Sequence, residues 1–124
     1  MNVNSIVRQL KAKYPSTKII KNDDKNPTEI IAEVEPGKKN SECGLAIVVI
    51  DKSLPHYHRK LTETYKVIKG QLSVFIDNKE HKLEQGQQLV IKPGQIHWAK
   101  GNETWIECKS EPGWTLSDHI LVNQ

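Results

Sequence analysis

From Leu45 onwards, turn residues cut the chain at regular intervals into short apolar or β-branched runs, and that cadence most constrains its fold. Leu45 to Ile50 is a β-branched run stopped by Asp51-Lys52-Ser53-Leu54-Pro55. His56 to Arg59 and Thr64 to Lys69 follow, with Gly70 placed for a turn. Gln71 to Ile76 then alternates, with Leu72, Val74 and Ile76 on one face and Gln71, Ser73 and Phe75 on the other. Asp77-Asn78-Lys79 is a hairpin signal. His81 to Leu83, Gln88 to Ile91, Ile96 to Ala99 and Thr104 to Lys109 complete the set. Their separators are Glu84-Gln85-Gly86, Lys92-Pro93-Gly94 and Gly101-Asn102. Short strands so spaced predict an all-β sandwich or barrel.

The N-terminal part follows a different period. Ile6, Val7, Leu10 and Tyr14 recur at helical spacing, Asn4 or Ser5 can cap the start, and Pro15 ends the run. This predicts a short amphipathic helix over residues 4–14, laid against the outside of the main body. Asn22 to Pro27 is a polar turn, and Thr28 to Val34 is a β-like run closed by Pro36-Gly37. The tail from Pro112 to Val122 is mixed and is expected to pack back on the body. No linker, repeat or low-complexity tract divides the chain. One domain over residues 1–124 is therefore expected, with its core barrel over about 28–110.

A chain of 124 residues, 36% hydrophobic and 27% charged, can bury one core and does not belong to the disordered class. Its net charge is +3, and basic pairs such as Lys38-Lys39 and Arg59-Lys60 are short and lack interleaved aromatics, which argues against a nucleic-acid surface. No apolar run reaches bilayer-spanning length, so no membrane partner is expected. Met1 to Ser5 lacks the basic-then-apolar pattern of a secretory signal, and a cytoplasmic protein is expected. Cys43 and Cys108 form no CxxC pair and read as two small thiols in a reducing compartment.

His56-Tyr57-His58 carries the first chemical signal. Residues two apart on a strand share a face, so both imidazoles point the same way, about 7 Å apart along the backbone. Glu63 lies five residues after His58, an odd spacing that would put it on the opposite face of an unbroken strand. It joins the histidines only if Arg59 to Thr62 turn or bulge. His97 stands three residues beyond Gly94, just past the Pro93-Gly94 turn.

Jointly these residues resemble the cupin superfamily. His56-x-His58, four residues, Glu63, six residues and Gly70 are similar to its first motif; Gly86 to His97 (GQQLVIKPGQIH) resembles the second, with Gly86, Pro93, Gly94 and His97 in place. Lys92 stands where the family usually has proline, and Gly101 where it commonly has asparagine. The resemblance covers roughly Val34 to Lys109. It implies a double-stranded β-helix, or jelly-roll β-barrel, with His56, His58, Glu63 and His97 holding one divalent transition metal in its lumen. Imidazole with carboxylate suits Mn, Fe, Ni, Co, Cu or Zn and does not choose among them.

Tyr65 and Val67 share the parity of Glu63 and, with Leu72, Val74 and Ile76, are expected to line a substrate pocket. Tyr65 reads equally as a hydrogen-bonding partner of a substrate or as a core tyrosine. Trp98 is expected to turn away from His97, Phe75 to face outward, and Trp105 and Trp114 to serve packing or an interface. His81 and His119 fit neither motif and read as ordinary surface or turn histidines. Arg59, Lys60 and Lys92 are either solvated loop cations or receivers of an anionic substrate. No general base outside the ligand set stands out. Two functions follow: a metal-dependent enzyme acting on a small molecule, or a non-catalytic small-molecule or sugar-binding module with a structural or vestigial metal. Enzyme chemistry would be dioxygenase-like or isomerase-like. The phrases Pro55 to His58 and Thr62 to Tyr65 are similar to stand-alone cupins grouped with mannose-6-phosphate isomerase-like proteins. The resemblance also implies a homodimer, with strands near Ile19-Ile20 and Ile30-Ile31 as edge or exchanged strands.

Overall fold

The computed structural model describes residues 1–35 and 43–122. The Pro36-Gly37 turn and the Lys38-Lys39 pair lie outside these described residues. Helix α1 (Val3–Lys13) starts slightly earlier than its periodicity predicts, because Asn2 rather than Asn4 or Ser5 is its cap: the Asn2 side chain accepts a hydrogen bond from the Ser5 N–H at 3.1 Å. Ile6 and Leu10 are its fully buried face. They pack on Ile30, Ala32, Ile47 and Val49, so the helix covers the outside of two strands. No helix among the described residues is long and apolar enough to cross a membrane.

Ten strands lie among the described residues: β1 (Lys18–Lys21), β2 (Glu29–Glu35), β3 (Gly44–Lys52), β4 (His56–Tyr57), β5 (Thr62–Lys69), β6 (Leu72–Ile76), β7 (Lys79–Leu83), β8 (Gln88–Ile91), β9 (His97–Glu111) and β10 (Ile120–Leu121). All pairings are antiparallel, and the sheet curls into a β-barrel. The unbroken apolar run of β3 is explained by burial on both faces. Val48 and Ile50 point into the barrel core, whereas Ile47 and Val49 meet the helix layer. The hairpin expected between β6 and β7 forms, with Asp77 at φ 48° and Asn78 at φ 70° between the paired residues Ile76 and Lys79. Phe75 and Trp98 stack face to face outside the core cluster, with ring centroids 4.2 Å apart.

One expected break is absent. Gly101-Asn102 does not separate two strands but lies within the 15-residue β9. The first part of β9 pairs with β6, from His97↔Ile76 to Gly101↔Leu72, and the second with β5, from Trp105↔Lys69 to Glu111↔Thr62. Between the two, the register against β3 slips, Glu103 takes a left-handed φ of 47°, and the strand changes partners. Glycine is needed at 101 because a Cβ there would sit 2.5 Å from the Thr104 hydroxyl. That hydroxyl closes the corner by donating to the Gln71 carbonyl at 2.6 Å.

Candidate metal centre

His56 opens β4 directly opposite His97, the first residue of β9, which brings their ring centroids to 4.2 Å. His58 follows on the same face, 5.1 Å from His56. Beyond it the strand breaks, as the odd spacing of Glu63 demands. The break is held by a residue far away in the chain: the Asp118 carboxylate accepts the backbone N–H groups of Arg59 at 2.8 Å, Lys60 at 3.1 Å and Leu61 at 3.1 Å. The chain re-enters the barrel as β5 with Glu63 turned to the lumen. His56, His58, Glu63 and His97 are all buried, and one ligand atom from each lies within 4.8 Å of the others.

The hydrogen bonds on the outer side of the rings decide what this cluster can hold. Nδ1 of His56 meets the Leu54 carbonyl at 2.7 Å, Nδ1 of His58 the Asp118 carbonyl at 2.7 Å, and Nδ1 of His97 the Gln95 carbonyl at 2.9 Å. A carbonyl only accepts, so each Nδ1 carries the proton and each neutral ring presents its Nε2 lone pair inward. Glu63 Oε1, another acceptor, lies 2.9 Å from Nε2 of His58 and 3.2 Å from Nε2 of His97. Lone pairs cannot face one another at that range, so a positive charge must sit among them, either protons or a cation. The donor set fits a divalent transition metal.

The electrostatics agree. Burial alone would raise the Glu63 carboxyl, but hydrogen bonds and charge from His58 and His97 outweigh it and hold Glu63 far below the usual carboxylate range. Burial likewise opposes charge on His58, yet the Glu63 hydrogen bond and the negative charges around it carry that imidazole above its ordinary value. Burial, reinforced by His97, pushes His56 down to about 3. The second carboxylate oxygen of Glu63 accepts the Cys108 S–H at 3.1 Å. Burial and the Glu63 charge push the Cys108 thiol well up, which keeps it a donor.

A cavity of about 270 Å³ adjoins the cluster. Of the expected pocket residues, Tyr65 lines it. Val67, Leu72, Val74 and Ile76 point inward but pack with Leu83, Ile91 and Ile106 in the apolar core rather than along the cavity wall. His119 is no ordinary surface histidine: its ring lies 4.4 Å from that of His56, it lines the cavity, and its buried Nδ1 has no hydrogen-bond partner among the described residues. Trp114, read as a packing or interface residue, is also on the cavity wall, 5.8 Å from His119. Arg59, Lys60 and Lys92 are exposed and are not among the residues lining the cavity. His81 sits on β7 opposite Val74, half-buried and away from the cluster.

Sequence reasoning missed Asp118, Cys108, Glu29 and Glu33. The two glutamates line the cavity on either side of Ile31 on β2. Their alternation with Ile30 and Ala32 was visible, but a face bearing two carboxyls reads as solvent until the barrel curls over it. Burial and then the Glu63 charge push the Glu29 carboxyl up to about 7.

Comparison with known proteins bears on the family. An uncharacterized protein of Aquifex aeolicus (strain VF5) is 25% identical over 71 residues, which are 55% of this chain and 59% of that protein. This chain thus matches less than two thirds of that curated relative's length. Among solved structures, a variant of Streptomyces PAC13 with uridine aligns with a TM-score of 0.76 at 12% identity over 89% of this chain and 88% of that one. The same protein is described elsewhere as a nucleoside dehydratase. A variant of Bacillus subtilis oxalate decarboxylase aligns with a TM-score of 0.72 at 15% identity over 88% of this chain and 31% of that one. A cupin-like protein of Thermotoga maritima aligns with a TM-score of 0.69 at 13% identity over 84% of each chain. These likenesses show the fold. The cupin domain model matches residues 46–108, which span β3 to β9 and include all four residues of the cluster, and the chain belongs to the cupin domain family.

Proposed function

We propose that this protein is a metal-dependent enzyme that moves a proton on a small organic molecule bound beside the metal in the barrel lumen. The observation that carries this reading is the outward Nδ1 bonding of all three histidines, which leaves their Nε2 lone pairs for the cluster, those of His58 and His97 facing Glu63. A divalent transition ion (Mn, Fe, Ni, Co, Cu or Zn) held by His56, His58, Glu63 and His97 would supply Lewis-acid polarisation of a substrate oxygen.

The proton chemistry belongs to the chain. With its carboxyl raised to about 7, Glu29 is part protonated near neutrality and can both take and return a proton across the cavity. Burial, then the Glu63 charge, push the Tyr65 hydroxyl well up, so it stays a hydrogen-bond donor. Trp114, Leu54 and Leu121 give the cavity an apolar rim. A proton-transfer group beside the cluster favours isomerase-like over dioxygenase-like chemistry. Dehydration, the activity named for the Streptomyces neighbour, also uses proton transfer, together with cleavage of a C–O bond and loss of water.

We place the protein in the cytoplasm, where its two free thiols, Cys43 and Cys108, would stay reduced. We also read it as a homodimer paired through β1, which among the described residues bonds only to β2.

Elemental analysis of protein purified without added metal, beside a His58→Ala variant, tests the metal. One transition ion per wild-type chain, lost in the variant, is expected; a wild type that neither holds nor takes up any of the six metals overturns the reading. Incubation in D2O with a panel of carbonyl and hydroxy compounds tests the chemistry. Metal-dependent deuterium incorporation that Glu29→Gln abolishes is expected, whereas its absence throughout the panel favours the binding module.

A further inference from the structure

We propose that the cavity takes an uncharged, hydroxyl-bearing molecule with an apolar or ring face, and that Glu29 and Glu33 turn anions away. This rests on the metal-centred reading above and names the class of ligand for that site. The cavity draws carboxyl groups from two walls: Glu29 and Glu33 from β2, and Glu63 from β5. No lysine or arginine lines it among the described residues.

A divalent ion together with the Glu63 carboxylate leaves one net positive charge, and two further carboxylates on the same cavity cancel or exceed it. An anion approaching the ion therefore meets like charge across a partly desolvated space, where repulsion is weakly screened. A neutral hydroxyl meets the reverse: carboxyl oxygens accept its proton, and the unpartnered Nδ1 of His119 offers another polar contact. Ile31, Leu54, Trp114 and Leu121 supply the apolar wall on which a ring or carbon skeleton can lie.

The test uses full-length protein loaded with Co(II), whose visible spectrum reports ligands at the ion. Azide, an anion, and imidazole, a neutral donor, are titrated into wild type, Glu29→Gln, Glu33→Gln and the double variant. Cobalt stoichiometry is measured first, so failure to take up metal is read as failure of the metal-centred reading, and of this inference with it. The expected result is azide binding about tenfold or more tighter in the double variant, with imidazole within about twofold of wild type. The single variants give intermediate azide values and stand in for the double variant if it does not load cobalt. Equal azide affinity in wild type and variants, or equal changes for azide and imidazole, overturns the proposal.

Discussion

Each of His56, His58 and His97 commits its Nδ1 proton to a backbone carbonyl, so a metal and a second proton compete for the same Nε2 lone pairs. His58 is raised above its ordinary value by Glu63 despite burial, so a proton competes for its lone pair. Metal binding must expel its proton. Cobalt affinity is therefore expected to climb as pH rises through the His58 value and to flatten above it, which titration at a series of pH values reads directly. Glu29 gives a separate prediction for stability. Its folded carboxyl titrates at about 7 against an ordinary 4.5, so its contribution is fully present below the unfolded value and is lost as pH rises through 7. Urea unfolding of metal-free protein at acidic and alkaline ends of that window should show wild type losing up to about 3 kcal/mol more than Glu29→Gln. An equal loss in both proteins would place the titrating group elsewhere.

The elements act on the site through two devices that touch no ligand atom with a side chain. The first is the tail, where β10 pairs with β4 (Leu121↔His56) and Asp118 gathers the three N–H groups of the break after His58. Asp118→Ala keeps the backbone carbonyl that holds His58 but removes the acceptor of three loop N–H groups, and by loosening the turn that sets His58 against Glu63 it is expected to weaken cobalt binding by about tenfold. A competition titration checks it, with circular dichroism showing that the strands persist. The second is α1, which buries Ile6 and Leu10 against the outer face of β2 and β3. Leu10→Ala should cost about 2–5 kcal/mol in urea unfolding while cobalt stoichiometry stays at one per chain, because the helix supports the barrel from outside the lumen.

At the scale of the whole molecule, the four cluster residues come from β4, the turn after it, β5 and β9, so an ion held by them would join parts of the chain that are far apart in sequence. Binding only the folded state adds about 4 kcal/mol at a thousandfold excess over Kd. Thermal unfolding should therefore fall to lower temperature with EDTA in wild type and not respond in His58→Ala. The closure that joins these parts also creates the cavity, since β2 brings its glutamates over the lumen only when the sheet has curled.

The sequence alone determined the strand cadence and the hairpin at Asp77-Asn78, which depend on local φ/ψ preference and the two-residue period of a strand, while the four residues of the cluster came from the resemblance to the cupin motifs. Even the condition on Glu63 was legible, because an odd spacing has to be corrected by a turn. Gly101-Asn102 was ambiguous: the same glycine serves a turn or a bulge, and only the partner strands β5 and β6 decide for the bulge. Asp118 and His119 carried no local signal, for their role depends on the tail returning to a loop some sixty residues earlier. Glu29 and Glu33 lay in a β-like run with no role assigned and became a cavity wall. Parity tells which residues share a face, but only barrel closure settles whether that face meets water, a neighbouring element or the candidate metal centre.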